Sequence, residues 1–228
     1  MTVELRARAL ARGDRRSSLV LYRVARGLLR RVVNPFVRLR SAGGGRLDRP
    51  GPTILAPVHR SHLDSALIAT LTQRRIRALG KESLFTTPGV SYLCAALGAI
   101  PVQRGRADRD ALKAASELLD RGEAMIVFPE GGRQSGDEVG ELFDGAAWLS
   151  ARTGATVVPI GVAGTDRVLP SGAWRPRRST VAIVVGEPLA PLTGDGGRRP
   201  NRAAIRAYTA ELAERLQAAQ NEAVALAK

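Results

Sequence analysis

At 228 residues and 24.3 kDa, the chain is long enough to bury one substantial hydrophobic core, and we expect a single folded domain. Hydrophobic residues make up 44% and charged residues 25%, as in ordinary globular proteins, and the single cysteine, Cys94, excludes an internal disulfide framework. The net charge of +14 predicts an anionic partner, and residues 1–40 contribute most of it, with eleven arginines against Glu4 and Asp14.

The N-terminal region is predicted to form a basic amphipathic helix over residues 19–33. Its apolar residues recur at steps of three and four, while its arginines lie mostly on the other side. The apolar positions are Leu21, Val24, Ala25, Leu28 and Val32. Such a helix suits the headgroup region of an anionic membrane, where each nearby basic residue contributes on the order of 1 kcal/mol. The alternative is a helix packed on the domain with solvated arginines, and the two are not exclusive.

The region after this helix is predicted to connect it to the domain. Phe36, Val37 and Leu39 form a second short apolar piece, and four glycines between residues 41 and 52 mark a linker. We therefore predict a membrane-associating segment with its linker over residues 1–45, and an α/β domain over residues 46–228. No run reaches the roughly 20 apolar residues of a membrane-spanning helix, so we expect peripheral membrane association.

The remaining sequence alternates short β-branched runs with longer helical patterns. Strands are predicted over 53–58, 76–80, 99–103, 124–128, 156–162 and 180–185. Helices are predicted over 63–72, 91–97, 108–121, 146–152 and 201–226. Strands that alternate with helices favour a single α/β layered domain with a mostly parallel central sheet flanked by helices.

Both histidines of the chain, His59 and His62, lie within residues 59–64, where a strand is predicted to end and a helix to begin. Residues five positions apart do not share a face of a continuous helix, so a bend at Ser61 is needed to bring His59 and Asp64 together. The carboxylate would then hold the imidazole in one tautomer, which is the arrangement of a general base and its orienting partner. The alternative is that His59 caps a helix and Asp64 stands in its first turn.

Polar residues follow several of the predicted strands. In open α/β sheets, ligands bind at the carboxyl ends of the strands, so these residues are expected to share one rim with His59. They are Arg104, the run Glu130, Gly131, Gly132 and Arg133, and the run from Thr165 to Arg167. Guanidinium groups beside a glycine turn form a seat for a phosphate. The alternatives are solvated arginines and an ion pair between Glu130 and Arg133.

Four ordered motif blocks give the chain its resemblance to a known family. They are HRSHLD over 59–64, PVQRG over 101–105, FPEGGR over 128–133 and VPIGVAGT over 158–165, and the segment from Lys81 to Pro88 adds to them. The chain resembles the glycerolipid acyltransferases, the family of 1-acylglycerol-3-phosphate acyltransferases. The resemblance covers residues 53–186.

The resemblance implies transfer of a fatty acyl group from acyl-CoA or acyl-carrier protein to the free hydroxyl of lysophosphatidic acid, giving phosphatidic acid. It implies His59 as general base and Asp64 as its orienting partner, with no cofactor beyond the acyl donor and no metal. The substrate-binding residues that it implies are Ser61, Lys81, Arg104, Glu130, Gly131, Gly132 and Arg133. The block ending at Pro159 is expected to help shape a substrate pocket.

Localisation and partners are expected to match this activity. We expect a peripheral protein on the cytoplasmic face of an anionic membrane, since Cys94 suits a reducing compartment. A nucleic-acid partner is not expected, because the basic N-terminal region offers only Tyr22 and Phe36 for stacking on bases.

Two departures from the family pattern leave the acceptor open. Val58 stands where asparagine often precedes the histidine, and Gly132 stands where threonine is more common. Another lysophospholipid or a phosphoinositol mannoside is therefore an alternative acceptor. The non-enzymatic alternative is a basic membrane-binding protein, whereas a serine hydrolase is disfavoured because no Gly-x-Ser-x-Gly motif is present.

Overall fold

The computed structural model describes residues 2–33, 36–102, 109–168, 175, 177–194 and 200–228. The helices are α1 (Thr2–Gly13), α2 (Arg16–Val33), α3 (Asp64–Thr70), α4 (Pro88–Ala96), α5 (Arg109–Asp120), α6 (Gly145–Thr153), α7 (Thr165–Val168) and α8 (Arg202–Leu226). The strands are β1 (Val37–Ala42), β2 (Thr53–Pro57), β3 (Ile76–Lys81), β4 (Ala99–Val102), β5 (Ala124–Ile126), β6 (Thr156–Ala163) and β7 (Ser179–Val185). Short 3₁₀ turns span Gly44–Asp48 and Glu82–Phe85.

All these strands form one sheet in the order β1-β7-β6-β2-β5-β3-β4. Strands β6, β2, β5, β3 and β4 run parallel, and the pair β1 and β7 runs the opposite way at one edge. The predicted α/β fold with a mostly parallel sheet flanked by helices is confirmed. Strand β2 lies in the middle of the sheet, so His59 follows a central strand.

Helices cover both faces of the sheet. On one face, α3 packs on side chains such as Leu55 and Ile160, and on the other, α5, α6 and α8 pack on side chains such as Ile54 and Val157. Strands β2 and β6 are buried along nearly their whole length, which explains their continuous runs of apolar residues. At Gly161, an added Cβ would lie 2.1 Å from the carbonyl oxygen of Ala219. Only glycine therefore allows α8 to lie this close to β6.

Two elements near the N-terminus differ from the predicted ones. Helix α1 was not predicted, and the piece that contains Val37 and Leu39 is strand β1, whose residues pair with β7. In this strand Val37 and Leu39 alternate with arginines. Because the alternation is so short, it was interpreted as part of a membrane segment and not as a strand. The predicted linker also contributes a core residue, since Leu47 is buried in the 3₁₀ turn. The division of the chain at residue 45 stays a prediction, although β1 belongs to the sheet.

Buried arginines attach the N-terminal helices to the domain. The Arg6 side chain is buried against β4 and donates from Nε to the Pro101 carbonyl at 3.0 Å. Arg77 on β3 is paired with Asp14, at the junction of α1 and α2, and with Glu123. Both arginines are therefore structural, whereas only membrane contact or solvation was predicted for N-terminal arginines such as Arg6. No helix in the described ranges is long and apolar enough to cross a membrane.

The apolar residues of α2 are divided between the core and the surface, and the inner side includes Tyr22 and Leu29, which were not part of the predicted apolar face. Tyr22 is buried and Ala25 and Leu29 are half-buried, whereas Val24 and Leu28 are each 60% exposed. Helix α2 thus has an inner apolar face against the domain and an outer apolar stripe.

Candidate active site

The turn between β2 and α3 brings His59 and Asp64 into contact. His59, Arg60 and Ser61 are buried, and α3 begins at Asp64. The chain bends over these residues as predicted, and His59 Nδ1 lies 2.9 Å from Asp64 Oδ2. A carboxylate oxygen only accepts hydrogen bonds, so the proton is on Nδ1 and Nε2 is the basic nitrogen. The described residues give Nε2 no hydrogen-bond partner.

Asp64 is fully buried, and donors from three directions surround its carboxylate. Besides the imidazole, Oδ2 accepts the backbone N–H groups of Arg60 at 2.7 Å and Ser61 at 2.8 Å. The hydroxyl of Thr165, at the start of α7, donates to Oδ1 at 2.7 Å. A buried charge is tolerated only with such partners. The arrangement fixes both the carboxylate and the imidazole that depends on it.

An aromatic ring fixes the His59 imidazole from a second side. Phe128, which closely follows β5, stacks on it with ring centroids 3.9 Å apart and an angle of 23° between the planes. The stacking leaves the imidazole little rotational freedom about χ2. Phe128 stands in the predicted FPEGGR motif, but its contact with His59 was not predicted.

Glu130 anchors the backbone of the turn. Its carboxylate accepts the backbone N–H of His59 at 2.8 Å and the backbone N–H of Gly140 at 3.0 Å, and it forms an ion pair with Arg60 Nη1 at 3.0 Å. The alternative pairing of Glu130 with Arg133 is therefore wrong. These contacts give Glu130 a structural role in holding His59 in place, and substrate binding by Glu130 stays a prediction.

Arg60 connects the loop over residues 134–138, which follows the glycine turn, to the turn between β2 and α3. Its buried guanidinium donates from Nε to the Gly136 carbonyl at 2.9 Å and from Nη2 to the Glu138 carbonyl at 2.7 Å. The backbone N–H of Gln134 donates to the His59 carbonyl at 2.8 Å. This role of Arg60 was not predicted, although its place inside the HRSHLD motif was a signal.

The glycine turn after β5 presents the remaining predicted residues to solvent. Gly131 has φ +68°, and an added Cβ would meet the Phe143 ring at 2.7 Å, so this position requires glycine. Gly132 has open space where a side chain would project. Arg133 is exposed and makes no hydrogen bond or ion pair with the described residues. It stands next to Gln134, so its backbone lies on the same rim as His59.

The other predicted site residues are distributed as follows. Ser61 is buried, and its Oγ accepts the Leu63 N–H at 3.4 Å, as suits a residue of the turn. Lys81 ends β3 at the carboxyl edge of the sheet. Arg104 lies outside the described residues. Pro159 lies inside β6, where its carbonyl accepts the Gly186 N–H at 2.9 Å.

An apolar cavity of about 410 Å³ begins beside the turn between β2 and α3. His62 and Ser65 line its near end, and its other walls come from α2, α3, β3, β4 and β5. Representative lining residues are Tyr22, Ala25, Leu29, Ala66, Ala69 and Ile126. This cavity was not predicted from the sequence, because it depends on how α2 lies over α3. Its size and apolar walls suit a hydrocarbon chain.

The described charged groups near the cavity and the turn do not form a metal centre. Across the described ranges, no three histidine, cysteine, aspartate or glutamate residues are grouped so as to hold a metal ion. The described groups at this turn are an oriented imidazole and the near end of an apolar cavity, and the exposed Arg133 follows on the same rim.

The chain is similar in sequence to known proteins. The sequence model of the Acyltransferase family matches residues 38–163. The chain is 30% identical over 161 residues to the chloroplastic 1-acyl-sn-glycerol-3-phosphate acyltransferase of Arabidopsis thaliana, covering 69% of this chain and 45% of that protein. It is 25% identical over 170 residues to the 1-acyl-sn-glycerol-3-phosphate acyltransferase of Bacillus subtilis, covering 74% of this chain and 81% of that protein. The chain thus spans less than half the length of the plant relative.

A solved structure has the same fold. The crystal structure of the 1-acyl-sn-glycerophosphate acyltransferase of Thermotoga maritima superimposes with a TM-score of 0.73 at 24% sequence identity. The superposition covers 90% of this chain and 80% of that one. At this identity, the likeness shows a shared architecture.

Proposed function

The chain belongs to the Acyltransferase family, and from this premise we propose that it transfers a fatty acyl group from a thioester donor to the free hydroxyl of lysophosphatidic acid. The donor is acyl-CoA or acyl-carrier protein, and the product is phosphatidic acid. The observation that carries the proposal is the buried contact of His59 Nδ1 with Asp64 Oδ2, at the carboxyl end of the central strand.

In the proposed reaction, His59 is the general base. Nε2 removes the proton of the acceptor hydroxyl while the oxygen attacks the thioester carbonyl carbon. The tetrahedral intermediate then collapses, the carbon–sulfur bond breaks, and the leaving thiolate takes the proton back from the imidazolium. Asp64 stabilises that imidazolium, and a positioned base of this kind contributes roughly 10²–10⁴-fold to the rate. No acyl-enzyme is needed, and the burial of Ser61 in the turn argues against a serine nucleophile.

The acceptor phosphate is proposed to bind at the rim beside His59. Arg133 supports this assignment because it is exposed, unpaired within the described residues and adjacent to the glycine turn. A guanidinium group pairs bidentately with phosphate oxygens, and the open space at Gly132 lets the ligand approach the backbone. Arg104 and Lys81 complete the site by their motif positions. Glu130 serves it indirectly, by holding the turn.

The acyl chain is proposed to occupy the apolar cavity. Its near end at His62 and Ser65 is only a few residues from His59, so a chain inside it would leave its thioester close to the base. Burying a methylene group there is favourable by about 0.8 kcal/mol, which gives the cavity a strong preference for long chains. The membrane partner follows from α2, whose exposed arginines and outer apolar stripe suit an anionic lipid surface at which the protein binds peripherally.

The test replaces the base with a side chain that keeps only its hydrogen bond to Asp64. His59→Asn keeps an N–H donor for Asp64 and removes the basic Nε2, so the fold is expected to survive. With labelled acyl-CoA and lysophosphatidic acid, the wild-type protein is expected to form phosphatidic acid, and His59→Asn to be at least 10²-fold slower, as a rough lower bound. Circular dichroism and thermal unfolding of both proteins provide the control for folding.

Two outcomes would contradict the proposal. Equal turnover by wild type and His59→Asn would remove the imidazole from the mechanism. Absence of turnover by the wild type with either donor, over a panel of lysophospholipid and phosphoinositol mannoside acceptors, would favour a non-enzymatic membrane-binding role. Turnover with a different acceptor in this panel would support the proposed mechanism and show that the acceptor is not lysophosphatidic acid.

A further inference from the structure

Helix α4 lies at the surface without the polar face that a surface helix normally has. Its residues, Pro88–Ala96, include no charged side chain. Ala95 and Ala96 are buried, whereas Val90, Tyr92 and Leu93 are each more than 40% exposed. A surface helix of a globular protein usually directs charged and polar residues outward. The outward residues of α4 are therefore matched to an apolar environment.

This surface continues onto neighbouring elements. Helix α4 contacts both α1 and α2 and follows the 3₁₀ turn Glu82–Phe85. Eleven large hydrophobic residues are exposed in the described ranges, and eight of them lie on α2, the 3₁₀ turn and α4. They are Leu19, Val20, Val24, Leu28, Leu84, Val90, Tyr92 and Leu93. Single exposed hydrophobic residues are common, but such a concentration on adjoining elements marks an interaction surface.

The charges around this surface indicate which partner covers it. Arg16, Arg23 and Arg30 are exposed on α2 beside its outer apolar stripe. On α1, the Arg12 guanidinium carbon lies 5.5 Å from the centroid of the Tyr92 ring. Tyrosine and arginine at the margin of an apolar surface are typical of a membrane–water interface, and basic residues there attract anionic lipids.

We propose that α4 and the 3₁₀ turn before it are a second lipid-contact element, which enters the surface of an anionic bilayer together with α2. From the sequence, lipid contact was predicted for the N-terminal segment and not for α4. The proposal rests on the proposed function and extends it, because the apolar cavity lies under α2 and its lining reaches Leu97, at the end of α4. The two helices of this lipid-contact surface, α2 and α4, therefore both border the space assigned to the acyl chain.

The first test measures binding of the full chain to vesicles. Vesicles of phosphatidylcholine and of phosphatidylcholine mixed with phosphatidylglycerol are compared in a flotation assay. Since Val90 and Leu93 are exposed, the double variant Val90→Gln, Leu93→Gln is expected to fold normally and to bind the anionic vesicles at least tenfold more weakly. The matched control is Trp148→Gln, which removes an exposed hydrophobic side chain from α6, on the other face of the sheet, and is expected to bind like wild type.

The second test reports the environment of α4 directly. An environment-sensitive fluorophore is attached at Leu93→Cys in a Cys94→Ala background, and at Trp148→Cys as the control. Addition of anionic vesicles is expected to shift the emission of the α4 label to shorter wavelength and to leave the α6 label unchanged.

Three outcomes would overturn the proposal. The first is unchanged vesicle binding by the double variant together with an unshifted α4 label. The second is a wild-type dimer that the double variant dissociates, since a second copy would then cover the surface. The third is that the double variant loses turnover on short-chain substrates that are dissolved as monomers, which would assign Val90 and Leu93 to the active site. Vesicle binding requires no turnover, so failure of the proposed acyl transfer would be recognised separately.

Discussion

The turn after β2 and the outer surface of α2 and α4 differ in how they meet their surroundings. In the turn, buried polar groups such as the Asp64 carboxylate are each bonded to another part of the protein. On the α2 and α4 surface, apolar side chains such as Leu28 and Leu93 are left in contact with solvent. The first region is satisfied by the protein's own groups, whereas the second matches the lipid surface that we propose covers it. In this proposal, the preorganised chemistry and the access of lipid substrates are assigned to different parts of the molecule.

The most severe single change to the first region is Asp64→Asn. The amide oxygen would still accept the two backbone N–H groups and the imidazole N–H, and the N–H₂ group would donate to the Thr165 hydroxyl, but the negative charge that stabilises the His59 imidazolium would be lost. We expect kcat for acyl transfer to fall by roughly 10³–10⁴, as when the orienting carboxylate of a catalytic histidine is neutralised. Steady-state kinetics measure this effect, and circular dichroism checks the fold. A kcat within tenfold of wild type would show that the base does not need the negative charge of Asp64.

The ion pair of Glu130 with Arg60 tests whether anchoring the turn is separate from the chemistry. Glu130→Gln leaves the buried Arg60 guanidinium without its counter-charge, and breaking a buried pair in this way costs about 3–5 kcal/mol. We expect a fall of that size in the free energy of unfolding, measured by urea denaturation, together with reduced turnover.

A double replacement provides the control for this prediction. Arg60→Met with Glu130→Leu removes both charges, so the double variant is expected to recover part of the lost stability. It is not expected to recover turnover, because the backbone N–H of His59 loses its acceptor. Full recovery of turnover in the double variant would contradict a positioning role for Glu130.

A subtler change in the same region is Thr165→Val, which deletes the hydroxyl that donates to Asp64 Oδ1. The loss of a hydrogen bond to a buried charged group costs about 1–3 kcal/mol, so we expect a kcat roughly tenfold lower with a small change in KM. Thr165→Ser restores the hydroxyl and is expected to restore most of the rate. If Thr165→Ser were as slow as Thr165→Val, packing of the threonine methyl group and not its hydrogen bond would explain the effect.

Sequence reasoning predicted the local part of the site better than its long-range part. The contact of His59 with Asp64 was predictable because both residues lie in one short motif at the end of a strand. The contact of Thr165 with Asp64 spans 101 positions, and it depends on β6 lying beside β2 in the sheet order. The pairing of Arg60 with Glu130 similarly depends on β5 lying on the other side of β2.

The N-terminal region was predicted least well, and the reason is physical. Amphipathicity shows that a helix has an apolar side, but it does not show whether protein or lipid covers that side. In α2 the apolar residues are divided, since Tyr22 faces the domain and Val24 faces outward. The alternation in β1 was too short to be distinguished from a continuing amphipathic segment. Tertiary contacts, such as the pairing of β1 with β7, decide between these interpretations.

The smallest predicted effect concerns how firmly the α2 and α4 surface is held to the domain. Asp14 joins the α1–α2 junction to Arg77 and to Arg121. Partial burial opposes ionisation of Asp14, but the two guanidinium groups outweigh it and hold the pKa of its carboxyl below the usual value. The side chain is 41% exposed, so solvent screening limits the contribution to less than about 1 kcal/mol.

The lowered pKa fixes the direction of the pH dependence. The stabilisation by Asp14 is fully present above its unfolded-state pKa of about 3.9, and it is lost as the pH falls through the lower folded-state pKa. Asp14→Asn is therefore expected to lower the free energy of unfolding slightly at neutral pH, and the difference from wild type is expected to shrink below about pH 4. Urea denaturation at both pH values measures the difference. A difference that is equally large at low pH would mean that the Asp14 charge does not hold α1 and α2 to the domain, and that their apolar inner faces suffice.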